Sequence, residues 1–335
     1  NVLGPIYGMD DLIWRGIVWS ARKPFVMQGM PPIITMRVDD VDGVAPYGLG
    51  QVAENFQWID ICNEYNIIPW CGTFNDNIPE AYIPKFRSLI NGNLTTASPH
   101  AFSADEFIYY NLPDPDDPDF DPAANVLRAI NFYLSNDLNL SNFIVPHYYG
   151  IDEEALQQIT LMNNQYDLNI EFLATHMDHS TSWYSSDWLN CGPYRIDRVG
   201  RPAEVRPVYY GDYVDWDGFE YLFNCVTEIR DDGGYEWSPS GDDIQETINR
   251  GVRHLRRAMN SMVLPTLFTH DNYLEMSESS WRAIISGVTS AVSSYSPEYR
   301  SMDYAVQYIR AKSNISITNV TENETLVNVT YSGTN

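Results

Sequence analysis

With 335 residues the chain exceeds the size of a small domain and fits one large α/β barrel or two ordinary domains. Its 20 Lys and Arg stand against 45 Asp and Glu, a formal charge of -25 whose field repels phosphate backbones and anionic membrane surfaces and so disfavours nucleic-acid binding. A hydrophobic content of 44% with 9 Trp, 23 Tyr and 13 Phe argues against disorder, and no apolar run approaches the roughly 18 residues of a membrane-spanning helix.

In chain order, the first strong strand reads Ile33-Ile34-Thr35-Met36-Arg37-Val38 and stops at Asp39-Asp40. A helix is expected over Val52 to Tyr65, with Ile59, Ile61 and Cys62 facing inward, and Ile67 to Phe74 returns as a second strand, which completes one βαβ unit. The Pro- and Asp-rich run Leu112 to Pro122 is a loop, because prolines at this density remove backbone donors; its carboxylates suit a solvated surface better than calcium. Val126 to Leu134 predicts a helix, Asn142 to His147 a strand, Glu154 to Asn163 a helix and Leu168 to Thr175 a strand. Between Ser180 and Gly241 the pattern loosens into Trp, Tyr, Gly and Pro, the texture of a binding segment or lid.

The surest helix runs from Asp242 to Met262, where Ile244, Ile248, Val252, Leu255 and Met259 line one face. His254, set among Arg253, Arg256 and Arg257, is expected on its surface. Val263 to Phe268 follows as a strand, then helices over Ser279 to Val292 and Met302 to Ile309. Residues Ser313 to Tyr331 alternate β-branched and polar positions and predict a final β segment. The sum is a single α/β unit, a (β/α) barrel with an N-terminal lead-in over 1–312, followed by a short β-rich C-terminal appendage over 313–335.

Sequons at Asn93, Asn139, Asn314, Asn319, Asn323 and Asn328 point to a secreted, extracellular glycoprotein. No charged-then-apolar leader precedes Asn1, so the expectation is either a removed targeting segment or a piece of a longer precursor with other domains. Cys62, Cys71, Cys191 and Cys225 are too widely spaced for a zinc ribbon. In an oxidising compartment the favoured pairing of the three possible is Cys62 with Cys71 and Cys191 with Cys225, four inert buried thiols being the alternative.

Ionisable residues fall where predicted strands end: Asp39-Asp40 after Val38, His147 after Pro146, and His270-Asp271 after Phe268-Thr269, with His100 where a third strand should end. In (β/α) barrels those ends share one face, so residues far apart in sequence should converge. Two imidazoles and a carboxylate form a site for a divalent metal, zinc fitting best, with a second carboxylate beside it to take a proton from water. Adjacent Asp residues on a strand point oppositely, so both reach one site only if the backbone turns there; Asp42-Gly43 is a candidate turn. Trp183, Trp188, Tyr194, Tyr209, Tyr210 and Trp216 are candidate flat stacking platforms for a ring-shaped ligand with apolar C–H faces.

Arg37-Val38-Asp39-Asp40 resembles the first motif of the polysaccharide deacetylases of the NodB-like carbohydrate esterase type, and Leu267-Phe268-Thr269-His270-Asp271 is similar to their last motif. Trp19-Ser20-Ala21-Arg22-Lys23-Pro24-Phe25-Val26, Ile144-Val145-Pro146-His147-Tyr148-Tyr149 and Met262 to His270 resemble a secreted branch typified by galactosaminogalactan deacetylase, a likeness spanning residues 14 to 318. The resemblance implies a deformed (β/α) barrel that removes N-acetyl groups from an amino-sugar polysaccharide. It places Asp39 as general base, His270 as general acid, and Asp40, His100 and His147 around the metal. The family's second motif has two histidines four residues apart; position 104 is Ala, so His147, with His176 as the alternative, supplies the second imidazole. His179, three residues on, shares that loop. Pro193-Tyr194-Arg195 is similar to the family's arginine motif, whose guanidinium positions the base, and Tyr148, Trp183, Tyr194 and Arg195 are the expected substrate contacts. The competing readings are a glycoside hydrolase using Asp39 with another carboxylate, and an inactive barrel serving as a structural or carbohydrate-binding component of an extracellular matrix or filament.

Overall fold

The computed structural model describes residues 30–45, 50–111, 114, 117–174, 213–216, 219–225, 236–261, 264–313, 316–323 and 325–333. In chain order its elements are β1 (Ile33–Val41), α1 (Gln57–Glu64), β2 (Pro69–Phe74), α2 (Ile83–Asn91), β3 (Thr96–Ala101), α3 (Pro122–Ser135), β4 (Phe143–Ile144), α4 (Glu153–Tyr166) and β5 (Phe172–Leu173). There follow β6 (Tyr213–Trp216), β7 (Phe219–Cys225), α5 (Ile244–Ser261), β8 (Thr266–His270), α6 (Glu278–Val292), β9 (Glu298–Tyr299), α7 (Met302–Ser313), β10 (Ser316–Glu322) and β11 (Val327–Ser332).

Strands β3, β2, β1 and β8 lie side by side in that order, every pair parallel, with β9 against the start of β1. A second sheet runs β4-β5-β7-β6, parallel except where β6 meets β7. The fold is therefore α/β with helices packed on a parallel central sheet, and β1 is buried along nearly its whole length because both its faces are covered. Met36, Val38, Trp58, Phe86, Trp281 and Ile285 belong to the core between this sheet and its helices. The expected barrel is not closed: among the described residues no strand pairing joins the two sheets, which meet where the Ser141 N–H donates to the Ala97 carbonyl at 2.8 Å. Part of the reason is local, since β4 stops at Ile144, two residues short of Pro146, which has no N–H to extend a ladder. Strands β10 and β11 form an antiparallel hairpin that pairs with no other described strand. No helix of the described residues is long and apolar enough to cross a membrane.

The elements depart from expectation at identifiable places. Helix α1 begins at Gln57 and not at Val52 because Asn55 and Phe56 adopt left-handed conformations, φ 50° and 58°. That turn drops the Phe56 ring into the core, stacked on Phe86 at 4.5 Å. Helix α2, whose buried Ile83, Phe86, Leu89 and Ile90 share a helical face, is one that the periodicity reading passes over. His254 is buried, at 3% exposure, and not on the surface of α5; it shares a face with buried Ala258, one turn on.

The expected Cys62–Cys71 bridge is absent, and both are buried free thiols. Cys62 Sγ is directed at Met36 Sδ, 3.8 Å away, whereas Cys71 Sγ lies 3.4 Å from the Thr95 hydroxyl, so the two sulfurs serve different neighbours. Burial pushes both thiols well above their ordinary range, which makes them inert. Cys191, and with it the second expected bridge to Cys225, lies outside the described residues.

Helix α7 holds Asp303 half-buried against the segment before β4, where the Ser141 hydroxyl donates to it and the Asn142 N–H reaches it at 3.5 Å. Burial nonetheless pushes this carboxyl up to about 6. A carboxyl raised above its unfolded value is accommodated while protonated, so its contribution is intact below about pH 4 and lost as the pH rises through about 6. Asp303→Asn should spare the protein a loss on the order of 3 kcal/mol between pH 4 and 7, visible as a flatter pH dependence of urea midpoints than in the parent.

Candidate metal centre and active site

Parallel pairing brings the carboxyl ends of the strands to one side. Asp39 and Asp40 lie near the end of β1, His100 near the end of β3, His147 in the turn that follows β4, and His270 at the end of β8. Asp39 and His270 are direct register partners across β1 and β8.

Asp40, His100 and His147 converge, with one ligand atom from each lying within 4.8 Å of the others. His100 Nε2 stands 3.3 Å and His147 Nε2 3.8 Å from Asp40 Oδ1. Two neighbouring aspartates reach one site because Asp40 itself is left-handed, φ 63°, at a register shift between Val38 and Val41. The reversal that brings both aspartates to the site sits at Asp40, and the anticipated Asp42-Gly43 turns as well, with Gly43 at φ 74°. Strain of this kind persists only where the surroundings enforce it. His100 Nδ1 lies 2.6 Å from the Val145 carbonyl, which can only accept; Nδ1 therefore donates there, and Nε2 is the nitrogen that faces Asp40.

The donor set fits a divalent cation. Asp40 Oδ1 and His147 Nδ1 are buried without a hydrogen-bond partner, an expense that a bound metal would relieve for the carboxylate oxygen. Burial, then the charge of His100, pushes the His147 imidazole down to about 3, so it is neutral at physiological pH, the state in which an imidazole can ligate. Burial pushes Asp40 up, but His100 and then His270 outweigh it and hold the carboxyl at about 2. Two imidazoles and one carboxylate suit zinc.

Beside the triad stand two groups prepared for opposite proton chemistry. Asp39 is 2% exposed; burial raises its carboxyl, yet the Arg37 guanidinium and then His100 hold it below the usual range. Arg37, wholly buried, grips both carboxylate oxygens, through Nε to Oδ1 at 2.8 Å and through a second short contact to Oδ2. It also stacks over the Phe268 ring, 4.1 Å from its centroid. His270 is driven the other way: burial lowers it, but the Glu236 carboxylate on Nδ1 and the charges of Asp40 and Asp39 raise it to about 9.

Of the predicted substrate contacts, Tyr148 lies at the site. Its ring stacks on His147 at 4.0 Å with an 18° interplanar angle, from a left-handed backbone of φ 53°. Phe107 stacks on His147 at 5.5 Å, and Phe74 meets it edge-on at 5.3 Å, so the triad has an aromatic wall. Trp183, Tyr194 and Arg195, like His176 and His179, lie outside the described residues. Sequence reasoning missed two residues. Arg37 grips Asp39 in the manner expected of Arg195, and the signal was present, since positions i and i+2 of a strand share a face. Glu236 carried no such signal, being 34 residues from the histidine it touches.

No family model and no curated protein matches the chain. Among solved structures it is similar to a provisionally named polysaccharide deacetylase from Mycobacterium smegmatis, at 12% identity and a TM-score of 0.49 over 87% of this chain and 93% of that one. It is also similar to the Xyl-CE4 domain of a multidomain xylanase from the hindgut metagenome of Trinervitermes trinervoides, at 9% identity and a TM-score of 0.39 over 83% and 91%. Likeness at this level leaves the chemistry to the residues themselves.

Proposed function

We propose that the chain is a metal-dependent deacetylase that removes N-acetyl groups from an amino-sugar polysaccharide outside the cell. The observation that carries this reading is the pairing of a convergent Asp40-His100-His147 triad with one carboxyl held ionised and one imidazole held protonated beside it. A divalent ion bound by the triad, zinc by preference, supplies Lewis-acid polarisation of a carbonyl and acidifies water. Asp39, kept ionised and fixed by Arg37, takes the proton of water as it attacks the acetamide carbon. His270, protonated through Glu236, gives its proton to the amine nitrogen as the C–N bond breaks, releasing acetate and a free amine. The aromatic wall of Tyr148, Phe107 and Phe74 gives the acetyl methyl an apolar surface. Residues 1–312 form the catalytic unit in this reading and 313–335 a glycan-bearing segment; Asn93, Asn139, Asn319, Asn323 and Asn328 are all exposed, and Asn314 lies outside the described residues.

Zinc-loaded protein should release acetate and amine in equal amounts from N-acetylhexosamine oligomers. A general acid must be protonated, so the rate should hold below and fall above about pH 9, the value to which Glu236 helps raise His270. Glu236→Gln should move that alkaline limb to lower pH and reduce kcat by roughly 10- to 100-fold. Reducing ends without acetate would instead select glycoside hydrolysis, and metal-loaded protein that releases no acetate from any such oligomer overturns the reading.

A further inference from the structure

A cavity of about 600 Å³ opens where the segment before α5 meets the turn after β8 and the start of α6. Ser238, Ser240, Asp242, Asn272, Tyr273 and Glu275 help line it, and none of its lining residues is Lys, Arg or His. Tyr273 joins it to the active site, for its hydroxyl donates to Glu236 Oε1 at 3.2 Å while the other oxygen of Glu236 holds His270. The side chains of Asp242, Asn272 and Glu275 hydrogen-bond to no other described residue, which leaves their polar atoms available. The two helix starts nearby are capped from within: Asp243 accepts from the Glu246 N–H at 3.0 Å, and Ser277 from the Ser280 N–H at 3.2 Å. The lining side chains therefore offer chiefly carboxylate acceptors, hydroxyls and the Asn272 amide.

We propose that this cavity is a subsite for an amino-sugar residue whose amine is already free, the neighbour of the residue being deacetylated; this rests on the deacetylase reading. Its volume falls within the roughly 300–1,000 Å³ range of small-ligand sites. The carboxylates of Asp242 and Glu275 match an ammonium through charge-assisted hydrogen bonds, Asn272 and the serines match ring hydroxyls, and the Tyr273 ring offers a surface to the apolar C–H face of a pyranose. The lack of a lining cation sets the cavity against uronate or phosphate substituents. The consequence is a preference for partly deacetylated chains, the product of one turnover becoming the ligand for the next.

The test titrates glucosamine trisaccharide and its fully N-acetylated counterpart into the parent protein and the Asp242→Asn/Glu275→Gln variant, and follows acetate release from partly and fully acetylated oligomers. The expected result is tighter binding of the free-amine sugar by the parent, weakened about 10-fold in the variant. The kcat/KM preference for partly over fully acetylated oligomers should fall by a similar factor. Equal affinity of parent and variant for glucosamine trisaccharide, with acetate still released, overturns the subsite alone. Carboxylate-dependent binding of that sugar without acetate release supports the cavity's chemistry and overturns the deacetylase reading instead.

Discussion

Arg37→Met should destabilise the protein by about 3–5 kcal/mol and lower acetate release at neutral pH by roughly 100- to 10,000-fold. Arg37 is fully buried, and its fork satisfies both oxygens of a carboxylate that is itself only 2% exposed. Removing it strands a buried charge, a heavier loss than the pair's own modest worth. Burial then dominates Asp39, its carboxyl rises, and the acidic limb of the rate profile should move to higher pH. Arg37→Lys keeps the charge but not the two parallel bonds, so it should recover only part of either loss. In the double variant Arg37→Met/Asp39→Asn no charge is stranded; stability should largely return while activity does not. Urea denaturation and initial rates separate these effects, and an Arg37→Met protein as stable as the parent would show that the pair does not hold the base.

The second large effect concerns the triad. Asp40→Asn should cut zinc affinity by at least about 100-fold and abolish acetate release, because an amide neutralises the anionic ligand. This substitution is the informative one: Asn tolerates the left-handed backbone that Asp40 adopts at φ 63°, so lost metal is not confused with backbone strain. His147→Ala should lose metal comparably, whereas His100→Ala also frees the Val145 carbonyl and loosens the junction between the two sheets. Elemental analysis after dialysis, with thermal unfolding at increasing zinc, checks both; the parent should gain stability with metal and Asp40→Asn should not. Stoichiometric zinc retained in Asp40→Asn would place the ion elsewhere.

The difference between what was legible and what was not follows the range over which each feature is determined. Short-range patterns carried the elements: the apolar stripe of α5, the buried run of β1 and the alternating tail that became β10 and β11 are set by neighbours a few residues apart. Placing ionisable residues at strand ends brought Asp39, Asp40, His147 and His270 to one side of the fold, because parallel strands share one carboxyl face whatever the sequence between them. The same pattern could not say that Cys62 and Cys71 point at different partners, nor that His254 turns inward, since both depend on packing from elsewhere in the chain.

By itself, then, the sequence determined an acidic α/β protein with candidate acid, base and metal-ligating groups at the ends of its strands, since periodicity and residue type act locally. Tertiary structure alone decided their chemistry. The left-handed turn at Asp40 aims it at two imidazoles, Arg37 keeps Asp39 ionised, and Glu236 keeps His270 protonated. Proton affinity and metal affinity depend on burial and on charges a few ångströms away, and those distances exist only once remote segments have packed together.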